Sequence, residues 1–167
     1  MQNEQPPVTL ALSAINIPHR IFTHPGPVSS LEQAAEERGQ RPEQVVRSIV
    51  FRLGRGEYLM VLIAGPNQVS WKALRQYLGQ SRISMAKREE VLGVTGYELG
   101  AVSPFGLPAP MRILVDPSVF DQAELSIGSG RRGTTVIIKE SDLRQALGEV
   151  ETLNLTLGDP ALIRIEG

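Results

Sequence analysis

The sequence predicts an α/β (α+β) fold: a single domain with a mixed, largely antiparallel sheet flanked by helices. Three observations predict it. Short strand-like runs recur at 47–53, 58–64, 112–116, 124–127 and 134–139, bounded by glycine- and proline-bearing turns. Helical stretches with recognisable start and stop residues are interspersed among them. The chain has 167 residues, of which 41% are hydrophobic, enough for one core without disulfide or metal staples.

The elements follow in order. Val8, Ala11, Leu12 and Ile15 form a helical stripe over 8–17, which Pro18 stops. Residues 19–23 read as a short strand. His24-Pro25-Gly26-Pro27 is a loop, because proline cannot donate to a ladder. Ser29, with Glu32 three residues later, makes a capping box opening a helix that ends near Gly39. Gly54-Arg55-Gly56 turns the 47–53 strand into the 58–64 strand, and Gly65-Pro66-Asn67 breaks that one. Ser70 caps a helix over 71–78 and Gly79 closes it. A short strand at 83–85 and a short helix at 87–92 come next. Residues 95–110, rich in glycine and proline, form a loop too long to be idle in a small domain. Gly128-Ser129-Gly130-Arg131-Arg132-Gly133 is a glycine-rich basic turn. Ser141 caps a last helix to Leu147, and 150–167 is one more extended piece.

Composition excludes several functions. The formal net charge is -1, which argues against a non-specific nucleic-acid binder and leaves only local basic patches, at Arg131-Arg132 or Arg47 with Arg52. There is no cysteine, hence no thiol chemistry. The two histidines, His19 and His24, are five apart and would face opposite sides of a strand, so no zinc set converges. No Gly-x-Ser-x-Gly elbow is present. No apolar run approaches the ~20 residues that span a bilayer, and residues 1–7 lack a secretory pattern. A cytoplasmic protein without membrane partners is expected. The turn at 128–133 is not a phosphate loop, since a strand follows it. Two readings of it stay open: a tight hairpin turn, or a close backbone approach to a ligand with Arg131 or Arg132 near phosphate.

The string Thr95-Gly96-Tyr97-Glu98-Leu99-Gly100-Ala101-Val102-Ser103-Pro104 resembles the Thr-Gly-Tyr…Gly-x-x-x-Pro signature of the YbaK and prolyl-tRNA-synthetase insertion editing domains. Pro42-Glu43-Gln44-Val45-Val46-Arg47-Ser48 resembles the segment that leads into that family's lysine-bearing strand. Met85-Ala86, Val115-Asp116 and Gly130 to Gly133 also fall in the family's order. The resemblance covers 8–148, leaving 149–167 as a C-terminal extension of one YbaK-like domain over 1–167.

The resemblance implies hydrolysis of the ester of mischarged tRNA by a free-standing deacylase, with no metal or other cofactor. It also implies the 3′ acceptor end of an aminoacyl-tRNA as partner and a synthetase as a second. Gly100 would stabilise the ester through its backbone, and Pro104 would stiffen that loop. Arg47 falls at the family's lysine and would hold the terminal adenosine or phosphate. Ser48, Ser103, Pro104, Gly128, Ser129, Gly130 and His24 would form the substrate site, and Arg131 and Arg132 would touch the acceptor stem. The sequence departs from the family at Arg47, at Gly128 (serine in some relatives) and at Thr135 (aspartate in some). Arginine binds phosphate as a planar fork but cannot serve as a base. A binding module without turnover is therefore the alternative to a deacylase.

Overall fold

The run Tyr58-Leu59-Met60-Val61-Leu62-Ile63-Ala64 carries no charge and can be buried on both faces. In the computed structural model, which describes residues 5–54 and 56–157, it is strand β3 (Tyr58–Ala64), with six of its seven residues buried. Leu59, Val61 and Ile63 face one apolar cluster while Met60, Leu62 and Ala64 face another, as the period of a strand demands. β3 is central in a five-stranded sheet of order β4 (Ser84–Met85), β2 (Val46–Arg52), β3, β5 (Arg112–Val115), β8 (Glu151–Thr152). β2 is antiparallel to β3 and to β4, whereas β3–β5 and β5–β8 are parallel. A second, wholly antiparallel sheet has the order β1 (Arg20–Thr23), β7 (Thr134–Lys139), β6 (Glu124–Gly128). An isolated parallel bridge, Val45 to Ser126, links the two sheets.

The larger cluster packs α1 (Pro7–Ala14), α4 (Arg88–Thr95) and α5 (Glu140–Leu147) through Leu12, Val91 and Leu143 against both sheets. The smaller one sets Leu74 of α3 (Trp71–Leu78) and Leu155 against Phe51 and Leu114. Asp116 joins this face to the C-terminal stretch. Its buried carboxylate accepts from the Ser118 N–H at 3.0 Å and from the Leu155 N–H at 2.7 Å. No helix among the described residues is long and apolar enough to cross a membrane.

The architecture is the expected mixed, largely antiparallel one, with local differences. α1 stops at Ala14, because Asn16 turns left-handed at φ 60° and the Ile17 N–H returns to the Leu12 carbonyl, leaving Ile15 exposed. The cap of α2 (Leu31–Glu37) is Ser30, not Ser29. Ser30 Oγ accepts from the Gln33 N–H, and Gln33 Oε1 accepts from the Ser29 N–H. Gln33 thus stands where Glu32 was expected, but its side chain bonds the Ser29 N–H rather than that of the cap Ser30, so the reciprocal box is not closed. α4 runs past Gly93 to Thr95 before Gly96, at φ 79°, ends it. α5 starts at Glu140 with no side-chain cap, so Ser141 lies inside the first turn. Of the expected C-terminal strand, β8 and a bridge between Thr156 and Val69 are formed, and residues 158–167 lie outside the described residues.

Candidate functional site

The loop after α4 is fixed from within. Thr95 Oγ1 accepts from the Tyr97 N–H at 3.0 Å, and the buried Tyr97 hydroxyl donates to the Phe105 carbonyl at 2.6 Å. Ser103 is fully buried and its Oγ accepts from the Phe105 N–H. The loop lies flat on the β6–β7 turn: the Gly130 N–H donates to the Ala101 carbonyl at 2.9 Å. A Cβ at Gly128 would sit 2.1 Å from the Val102 carbonyl oxygen, so only glycine allows this backbone contact. Gly100 stands at the free end of the seam with φ +91°. The N–H groups of Gly100 and Val102 are bonded to no acceptor among the described residues.

Gly100 and Val102 border a groove of about 810 Å³, within the range of ligand sites. It opens between the two sheets, with β2, β6 and the segment from His24 into α2 as its other walls. Its lining contains three arginines, Arg38, Arg47 and Arg132, and no aspartate or glutamate. Behind the wall lies a polar chain. His24 is 9% exposed, its Nδ1 is 2.6 Å from Glu37 Oε1, and its Nε2 is 3.2 Å from Arg38 Nε. A guanidinium can only donate, so Nε2 accepts and Nδ1 donates to the carboxylate. The Gln33 amide, and after it His24, holds the Glu37 carboxyl below its ordinary value. Arg38 Nη1 donates to Ser126 Oγ at 2.6 Å, and burial pushes the guanidinium down to about 10.

This chain matches the aminoacyl-tRNA editing domain over residues 25–146, a span holding the groove, the Gly100 loop and the β6–β7 turn. The chain belongs to that family. The editing domain is 28% identical over 142 residues to the multifunctional Ser/Thr-tRNA deacylase ProXp-y of Escherichia coli strain K12, covering 82% of this chain and 84% of that one. It is 30% identical over 100 residues to a proline–tRNA ligase of Trichlorobacter lovleyi, covering 60% of this chain but 17% of the ligase. Among solved structures it is similar to a candidate trans-editing enzyme for prolyl tRNA synthetase. That match has TM-score 0.81 and 24% identity, over 91% of this chain and 96% of that one.

Within the editing domain, Gly100, Arg47, Ser48, Gly128, His24 and Arg132 come together around the groove. Ser103, Pro104, Ser129, Gly130 and Arg131 do not line it. Ser103 is spent on the loop's own backbone, and Pro104 borders a separate shallow hollow with Leu107 and Met111. Ser129 is fully buried and knits the turn, its single hydroxyl proton within reach of both the Arg131 and the Thr134 carbonyls. Gly130 packs on Tyr97 and Pro7, and the exposed Arg131 reaches the Gln5 carbonyl. Arg47 lies on the wall, but Nε donates to the Gly65 carbonyl at 2.9 Å and Nη2 to the Asn67 carbonyl. Burial lowers its pKa. Sequence reasoning missed Arg38, Ser126 and Glu37. Arg38 reads as an ordinary basic residue near a helix end, and only the fold brings it against Ser126, 88 positions away.

Proposed function

We propose that this editing domain is a deacylase acting in trans, which hydrolyses the ester of a wrongly charged aminoacyl-tRNA through the Gly100 loop. The observation that carries this reading is the seam between Gly128 and Val102. It sets Gly100 and Val102, whose N–H groups are bonded to no acceptor among the described residues, on the lining of the groove. Water adds to the ester carbonyl, and the oxygen that gains charge is stabilised by those donors, already in place before reaction. The carbon–oxygen bond to the ribose then breaks, and the hydroxyl leaves with a proton. Neither Arg47 nor His24 is placed to take a proton, one being a guanidinium and the other bonded at both ring nitrogens. Proton transfer falls to groups of the substrate or to water. The 3′ acceptor end is the partner, and a synthetase is a second. On this reading 1–167 is one YbaK-like editing domain.

The second reading is a binding module without turnover. It is favoured by Arg47, whose guanidinium is turned onto the 65–67 backbone. A panel of mischarged tRNAs, seryl- and threonyl-tRNA included, followed for ester loss separates the two. The deacylase reading expects ester loss on at least one member and retained or raised turnover in Arg47→Lys. Binding with hydrolysis at background for every tRNA would leave the binding module. No group of three or more His, Cys, Asp and Glu side chains that could hold a metal occurs among the described residues. Turnover is therefore expected to survive exhaustive chelation, and loss with rescue by zinc would refute that expectation.

A further inference from the structure

The ion pairs among the described residues leave Arg38 out: Glu37, its neighbour, is directed to His24 and Gln33. Arg38 is a half-buried cation, fixed by two neutral partners on a groove wall without an acidic residue. Glu37 acts on it through space and through His24 but makes no direct contact, so an oxyanion in the groove would be the first acid to meet the guanidinium itself. The other two groove arginines are less suited. Arg47 is committed to backbone carbonyls, and Arg132 is exposed. Arg38 Nη1 is held on Ser126, whereas Nη2 takes no part in these bonds. Ser126 and Gly128 are alternate residues of β6, on one face and about 7 Å apart along the strand. Gly128 carries the Val102 seam, so Ser126 holds the guanidinium on the face of β6 that also meets the loop.

We propose that Arg38 is an anion-binding residue of the groove, with its guanidinium held between His24 and Ser126 to take an oxyanion of the substrate. The oxyanion is either a carboxylate ending the attached amino acid or the phosphate of the terminal nucleotide. Both have the planar or forked oxygens that a guanidinium binds. The site rests on the editing reading for its ligand, but not for its geometry. His24 and Glu37 act as its support. The carboxylate fixes the imidazole so that its lone pair faces Arg38 Nε, which aims the rest of the guanidinium at Ser126 and the groove.

The test uses four non-hydrolysable analogues of the charged 3′ end, each an adenosine bearing an amide-linked amino acid. The amino acid is aspartate or asparagine, with or without a 5′ phosphate. Affinities are measured by calorimetry at low salt for the wild type, Arg38→Leu and Arg38→Gln, with melting curves confirming that each variant folds. One of the two anionic groups is expected to improve wild-type affinity about ten- to hundredfold. That advantage should vanish in both variants. An advantage for aspartate identifies a carboxylate, and one for the 5′ phosphate identifies the phosphate. Analogues that bind wild type with no anion preference, or a preference kept in a folded variant, overturn the proposal and leave the editing reading standing. If no analogue binds but inorganic phosphate shifts the Ser126 amide resonance of wild type and not of Arg38→Gln, the anion site stands and the editing reading falls.

Discussion

At Gly100 the backbone needs φ +91°, and the space a Cβ would enter is bounded only by Arg132 Nε at 3.9 Å. The cost of a side chain there is conformational rather than steric, about 1–2 kcal/mol. Gly100→Val is expected to fold, with a modestly lowered melting temperature, and to lose most turnover because the loop donors shift. Wild-type turnover in that variant would remove Gly100 from the site. Ser48 offers a sharper contrast. It lines the groove, yet its Oγ is buried and has no partner among the described residues. An orphaned hydroxyl costs about 1–3 kcal/mol, so Ser48→Ala should leave stability unchanged or raise it. If the hydroxyl serves the substrate, affinity falls in the same variant; a destabilised Ser48→Ala would mean that the hydroxyl has a partner after all. The place of Gly100 on the groove was legible because the glycine belongs to a loop signature. Arg38 was not, because its meaning depends on a hydroxyl 88 residues away.

Among elements, the clasp on β8 makes a two-residue strand hold. Arg112 donates twice to Glu151, at 2.7 Å for both bonds, and the Tyr77 hydroxyl of α3 donates to the same carboxylate at 2.7 Å. Arg112 first, and Tyr77 second, depress the Glu151 carboxyl to about 2 from an ordinary 4.5. Between those values the unfolded chain binds the extra proton, so stability rises with pH there. Glu151→Gln should melt below the wild type at neutral pH. The gap should narrow as pH falls from 4.5 and close near 2. A gap unchanged over that interval would show that the ion pair contributes nothing. The group is partly exposed, so the effect is expected to be small. Strand periods, Ser70 and Gly79 fixed α3 and β3 to the residue from sequence, since those signals are local. Ser29 and Glu32 misled because the adjacent Ser30 could equally cap, and Ser141 misled because α5 starts at Glu140 with no side-chain cap at all.

For the molecule as a whole, β3 is the shared wall of both apolar clusters. Leu62→Ala, at a fully buried site, should cost about 2–5 kcal/mol. The loss should appear as one cooperative transition reported alike by Trp71 in the smaller cluster and Tyr97 in the larger. Separate transitions would mean that the clusters unfold apart. The mixed sheet order was readable as a class. Which strands pair in parallel was not, because nothing local in residues 112–115 says that they pair with β3 rather than with another strand.

The two sheets share the larger apolar cluster and, among the described residues, one isolated bridge between Val45 and Ser126, beside which the groove opens. One wall belongs to each sheet, Ser48 on β2 and Ser126 on β6. A molecule that touches both is mechanically a strut across their junction. Its occupancy should stiffen the joint, and amide exchange at the ends of β6 should slow, even where the ligand contacts no atom.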